Sequence, residues 1–85
     1  MQEQAKELLE NLSRLHTTEL GFLRVKKNLG LETEDVIGWC REQILDSKAV
    51  IVREGKNWYV SVGGNELTIN AYSYTVITAH KQKGI

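Results

Sequence analysis

The apolar residues of this chain change their spacing once, near residue 49, and that change constrains the fold more than any other feature. Before it, apolar positions recur every three or four residues, as on one side of a helix. After it, they alternate, as on one face of a strand. The β-rich runs are short and separated by Glu54-Gly55-Lys56-Asn57, Gly63-Gly64-Asn65 and Tyr72-Ser73. Gaps of that length cannot hold a helical crossover, so consecutive strands must pair antiparallel. The expected fold class is therefore α+β, with two to three N-terminal helices packed on a three- to four-stranded antiparallel β-meander. With 85 residues, the chain reads as a single domain over 1–85.

The spacing predicts a first helix over 3–15, carried by Ala5, Leu8, Leu9, Leu12 and Leu15. His16-Thr17-Thr18 interrupts it, and either threonine can cap a second helix over 18–29. Leu20, Leu23 and Phe22 are its expected inward residues, and Gly30 its expected left-handed end. Thr33 is the expected cap of a third helix over 34–46, with Val36, Ile37, Cys40 and Ile44 on its apolar face and Trp39 widening it. Strands are expected over 49–54, 57–62, 66–71 and 74–79. Trp58, Val60 and Val62 should share one face, as should Leu67, Ile69 and Ala71. The phase of the last strand is open, because Val76 and Ile77 are adjacent and both apolar. Proline is absent, so the turns depend on Gly, Asn, Asp and Ser.

Composition excludes several classes of function. Eleven basic residues balance eleven acidic ones, which argues against a dedicated polyanion binder. Residues 1–45 carry six basic and eight acidic groups, and residues 46–85 five and three, a mild split between the halves. No apolar run approaches the ~20 residues that span a bilayer, and the N-terminus lacks a signal-peptide pattern. The lone Cys40 cannot form an internal disulfide. A cytoplasmic protein is expected, with no membrane partner. Phosphate-loop and dinucleotide glycine motifs are absent, and His16, Cys40 and His80 lack zinc spacing. No cofactor and no metal are expected. Cys40 reads as a small apolar residue of the third helix, and His16 as a capping residue in a connector.

The most unusual stretch runs from Thr68 to Lys81 and is dense in hydroxyls and amides. On a regular final strand, Thr78 and His80 share a face with Tyr74. That would place a general acid or base beside a hydroxyl donor, so His80, Thr78 and Tyr74 are the candidate catalytic residues. Arg24, Lys27, Lys56, Asn70 and Lys81 are the candidate nucleic-acid contacts. Arg24 and Lys27 lie with Lys26 in a basic cluster suited to phosphate. Lys56 precedes Trp58 and Tyr59, whose rings could stack an unpaired base. Against these stands a plainer reading, in which an exposed sheet face uses Thr and Tyr as good strand formers.

Several runs carry a resemblance. They are His16-Thr17-Thr18-Glu19-Leu20-Gly21, Arg24 through Leu29, Trp39-Cys40, Gly55 through Val60, and Ile69 through Lys81. Together they resemble an uncharacterised family of short bacterial proteins known only as a domain of unknown function. The resemblance spans roughly residues 8–81 and implies a bacterial cytoplasmic protein. In layout alone, helices before a four-stranded meander are similar to small metal-independent ribonucleases of the barnase and RelE-type toxin kind. That resemblance implies acid–base chemistry on an RNA 2′-hydroxyl from the sheet. Here it is carried by the polar last strand with His80, while Glu66 reads as merely opening its strand. Val25, Leu29-Gly30-Leu31, Val36 and Trp39 also fall at helix-turn-helix spacing. The expected function is thus a non-enzymatic protein-interaction module or homo-oligomer. The alternatives are an RNA-binding or ribonuclease-like domain, and a helix-turn-helix DNA binder.

Overall fold

The computed structural model describes residues 3–82; the outermost positions of the expected 1–85 domain, 1–2 and 83–85, lie outside the described residues. Helix α1 spans Glu3–Glu10 and gives way to a 3-10 turn over Leu12–Arg14. The helix is shorter than its apolar spacing predicts. Asn11 donates from its side chain to the Glu7 carbonyl at 2.8 Å, closing the last turn in place of a continued backbone ladder. Ala5, Leu8 and Leu15 still reach the core, whereas Leu9 is left 40% exposed.

Strand β1 is the two-residue segment His16–Thr17, followed by α2 (Glu19–Leu29) and α3 (Val36–Leu45). Thr18 caps α2, its hydroxyl accepting from the Gly21 amide at 3.0 Å. Gly30 ends it at φ 66, in the left-handed region where only glycine is unstrained. The inward residues are Gly21, Val25 and Leu29, not Leu20 and Leu23, which are both 55% exposed. The cause is a close approach. A Cβ on Gly21 would meet Thr17 Oγ1 and lie 2.9 Å from the Val76 carbonyl oxygen. The helix is thus turned so that its glycine, rather than a leucine, faces the sheet. The cap of α3 is Asp35, which accepts from the Gly38 amide at 3.0 Å. Thr33, the expected cap, instead accepts from the Asp35 amide at 3.0 Å. Val36, Cys40 and Ile44 are buried as the spacing predicts.

Strands β2 (Val50–Glu54), β3 (Asn57–Val62), β4 (Asn65–Asn70) and β5 (Thr75–Lys81) form the antiparallel meander that the short gaps require. Two-residue turns at Gly55-Lys56 and Gly63-Gly64 join the first three, with positive φ at each of these glycines. Such turns match the right-handed strand twist. The sheet has five strands in the order β1-β5-β4-β3-β2, one more than expected. The addition is β1, which runs parallel to β5 with His16 opposite Thr75. Its two residues lie in a connector and carry no alternating pattern. They are held by the His16 amide donating to the Tyr74 carbonyl and by Thr17 Oγ1 donating to the Val76 carbonyl.

The helices cover one face of the sheet, where Ile51, Trp58, Val60, Leu67, Ile69, Val76 and Ala79 form the core with Leu8, Val25, Val36, Cys40 and Ile44. A bulge in β5 resolves the open phase of the last strand. Thr68 pairs with Thr78 but Ile69 with Val76, so Ile77 is the extra residue. Val76 and Ala79 can therefore both face the core although three positions separate them.

Candidate functional site

The sheet face away from the helices is open, and the register arranges its side chains in rows. One row runs Val50, Ser61, Glu66, His80 across β2 to β5, and the next runs Val52, Tyr59, Thr68, Thr78. Opposite residues in an antiparallel pair sit ~4.5–5.5 Å apart, so each row is a line of neighbours. His80 Nε2 lies 3.4 Å from Glu66 Oε1, an ion pair when the imidazole is protonated. Ser61 accepts a hydrogen bond from the Gln82 side chain at 3.1 Å. Val52, Glu54, Tyr59, Ser61 and Glu66 line a shallow concavity of about 330 Å³. The concavity carries two carboxylates and no lysine or arginine, so it favours cationic or neutral polar groups over phosphate.

The expected catalytic set is only partly assembled. Thr78 and His80 are on the open face, but Tyr74 is on the other side of the sheet. It is buried at φ 60, with its ring 5.3 Å from that of Trp58 and the Arg14 guanidinium 4.4 Å above it. The bulge at Ile77 is the reason, because it shifts the strand's alternation between Tyr74 and Thr78. In place of Tyr74 the structure brings Glu66 to His80. The two-residue Gly63-Gly64 turn, one residue shorter than the expected Gly63-Gly64-Asn65 gap, sets Ser61 opposite Glu66; the β4–β5 register depends on a bulge that no turn residue announces.

The expected nucleic-acid residues are dispersed. Arg24 and Lys27 are exposed on α2, which docks on the core side of β5 through Val25 and Leu29. Lys26, beside them, is bonded to Glu34 at 2.6 Å. Lys56 is in the β2–β3 turn, at the opposite end of the sheet from His80, while Lys81 pairs with Asn65 beside His80. The Asn70 side chain is consumed by its own turn, accepting from the Tyr72 and Ser73 amides and the Ser73 hydroxyl. Trp58 is fully buried on the core face and Tyr59 is on the open face, so the two rings form no joint stacking platform. In α3, the Arg41 guanidinium donates to the Leu12 carbonyl at 3.0 Å, which ties down the basic residue that a recognition helix would use.

Three further groups have plain structural settings. Burial pushes the Cys40 thiol up to about 12, so it stays protonated near neutral pH and is a poor nucleophile. His16 bridges the Arg14 carbonyl at 2.9 Å and the Thr75 hydroxyl at 3.0 Å, and Thr75 in turn contacts the Ser73 hydroxyl at 2.7 Å. This chain of hydrogen bonds fastens β1 to the β4–β5 turn. Among the described residues, no group of three or more His, Cys, Asp or Glu side chains is placed to hold a metal ion. Nor is any helix long and apolar enough to cross a membrane.

A second surface lies at the edge of the sheet. Strand β2 is the outermost strand of the sheet, with no described strand beyond it. Val50 and Val52 are 51% and 46% exposed on the open face, and Leu9 and Leu45 are exposed on the helix side. Leu9, Leu45, Ala49 and Ile51 help line a groove of about 460 Å³ between α1, the end of α3 and β2. Apolar residues thus flank the free backbone edge on both sides of the sheet. A long apolar edge is a template for pairing unless it is covered.

The fold and its surfaces define a small α+β domain with one covered sheet face, one open face and an apolar free edge. The chain belongs to the family described as "Protein of unknown function (DUF3781)", whose pattern it matches over residues 9–80. No curated protein matches the chain, and no solved structure does.

Proposed function

We propose that this is a non-enzymatic, cytoplasmic bacterial protein that engages a protein partner by strand addition at β2. The observation that carries the reading is the coincidence of a strand with one free edge and Val50, Val52, Leu9 and Leu45 exposed around it. In strand addition the backbone edge supplies hydrogen bonds and the flanking side chains supply specificity. Apolar side chains on both sides of that edge add burial that a monomer of this size has little of to spare. The test is the paired variant Val50→Lys with Val52→Lys. It should abolish association with the partner while moving the melting temperature little, because both side chains are about half exposed in the monomer. Association unchanged by the two lysines would refute the reading.

One observation favours a second reading, metal-independent RNA cleavage on the open face. Glu66 and His80 form an acid–base pair on neighbouring strands, 3.4 Å apart, of the kind that moves a proton to and from a 2′-hydroxyl. It is the weaker reading because Glu54 and Glu66 repel phosphate while Arg24, Lys27 and Lys56 lie elsewhere. Incubation with end-labelled single-stranded RNA at low salt, with a chelator present, decides it. Cleavage lost in both His80→Ala and Glu66→Gln would support it, and intact RNA would end it.

A further inference from the structure

We infer that the partner at β2 is a second copy of this chain, paired antiparallel about a twofold axis at Ile51. The inference rests on strand addition at β2 and names its occupant. The argument begins with the direction of the backbone groups. The two-residue turn makes Glu54 and Asn57 a hydrogen-bonded pair, so Val50, Val52 and Glu54 spend their amides and carbonyls on β3. Those of Ile51 and Arg53 point to the free edge. A second strand must meet these two.

Among the twofold registers that keep the open faces of both copies on the same side, three pair at least three residues of β2 with β2, those centred on Ile51, Val52 or Arg53. A centre at Val52 sets Val50 against Glu54 of the other copy and Lys48 against Lys56, which mismatches polarity and opposes like charges. A centre at Arg53 sets Val50 against Lys56 and Val52 against Glu54, leaving both valines beside charges. A centre at Ile51 resolves every conflict. Val50 falls opposite Val52 on both sides of the axis, so four valines close into one apolar cluster on the open face. Lys48, in the turn that leads into β2, falls across from Glu54, also twice.

The hydrogen bonds agree with this centre. Ile51 exchanges amide and carbonyl with its own copy, and the Arg53 amide reaches the Ala49 carbonyl. The Ala49 amide is already bonded to the Asp46 carbonyl at 3.0 Å, so the Arg53 carbonyl at each end of the pairing is left to water. On the helix side, Ile51 lies at the axis and lines the same groove as Leu9 and Leu45, bringing the two grooves together. The segment is therefore complementary to its own reverse in charge, apolarity and backbone phase. A strand selected for an unrelated partner has no reason to be so.

Charge reversal tests the register without disturbing the fold, because Lys48 and Glu54 are exposed and form no ion pair among the described residues. Sedimentation equilibrium should show a dimer of the wild type. Lys48→Glu and Glu54→Lys should each weaken it on the order of tenfold, since two rim pairs turn repulsive. The double reversal should restore it. Mixed Val50→Cys and Val52→Cys chains should oxidise to a cross-linked dimer, because that pair lies at disulfide distance in this register. Val52→Cys alone should not, and its cross-linking would overturn the Ile51 centre, as would a double reversal that fails to restore the dimer. A photo-reactive residue at position 52, irradiated in the native cell, separates the two proposals. An adduct of twice the chain mass supports self-pairing. An adduct with another protein overturns self-pairing and leaves strand addition standing, and no adduct overturns both.

Discussion

Replacing Gly21 with alanine should destabilise the protein, although helix propensity alone predicts the opposite. In an exposed helix interior the change stabilises by at most about 1 kcal/mol. Here the new methyl would point at the sheet. It would collide with Thr17 Oγ1 and sit 2.9 Å from the Val76 carbonyl oxygen. The threonine hydroxyl can rotate away, but it then gives up its 2.7 Å hydrogen bond to that same carbonyl, worth about 1 kcal/mol. The carbonyl belongs to a strand held from both sides by β1 and β4 and has little room to retreat. Overpacking of this kind costs about 1–3 kcal/mol. The balance is a net loss of about 2 kcal/mol, or roughly 8–16 °C in melting temperature for a domain of this size. Thermal and urea unfolding of Gly21→Ala, Thr17→Ala and the double variant form a cycle that reads the coupling directly. Gly21→Ala should cost less in the Thr17→Ala background, because half of the obstruction is gone. A Gly21→Ala protein as stable as wild type would refute the close approach of α2 to the sheet, and with it the account of why Leu20 and Leu23 face outward.

Two further outcomes are expected. The Cys40 thiol is raised from its ordinary 9.0 to about 12, so the folded state holds its proton after the unfolded state has released it. The associated stability is present below pH 9 and declines by about 1.4 kcal/mol per pH unit above it, towards 12. Denaturant midpoints of wild type and Cys40→Ala compared over that range should converge as pH rises, and parallel curves would contradict the burial. Asn70→Ala should destabilise by about 1 kcal/mol, because two exposed turn amides exchange their acceptor for water, while Asn70→Asp, which keeps the oxygen, should lose less. Chemical denaturation checks both, and an Asn70→Ala protein of wild-type stability would show that the turn does not need its side chain.

The layered plan was legible wherever a local rule decides the outcome. Gly55, Gly63-Gly64 and the short gaps around them marked the hairpins, but Asn65 belongs to β4 rather than to the turn, so that Ser61 and not Val62 stands opposite Glu66. Gly30 marked the end of α2, and the four-residue spacing of Val36, Cys40 and Ile44 marked the buried side of α3. What escaped depends on contacts between distant residues. The apolar spacing of Leu20 and Leu23 competes with that of Val25 and Leu29, and the close approach of Gly21 to Thr17 and the Val76 carbonyl chooses between them, while Phe22 packs against the core as expected. Strand β1 has no pattern of its own because two residues cannot carry one. The bulge at Ile77 moved Tyr74 into the core and left His80 facing Glu66, so the candidate site changed membership through one unpaired residue. The pairing potential of β2 was written in the segment from Lys48 to Glu54 throughout, but it became visible only once β2 proved to be an edge.

Strand β5 has neighbours on three sides: β4 and β1 in the sheet, and α2 against its core face. The helical half of the chain therefore waits on the strand that follows every other described element in chain order. Until residues 75–81 emerge, α2 has no surface to dock on and His16–Thr17 has nothing to pair with. Acquisition of structure should be a single event, rather than a stepwise one that follows synthesis, and the nascent domain should stay protease-sensitive until residues 75–81 have left the ribosome. For that interval the apolar strand β2 is already made and not yet built into a sheet, which makes the growing polypeptide, more than the finished protein, the form most in need of a chaperone.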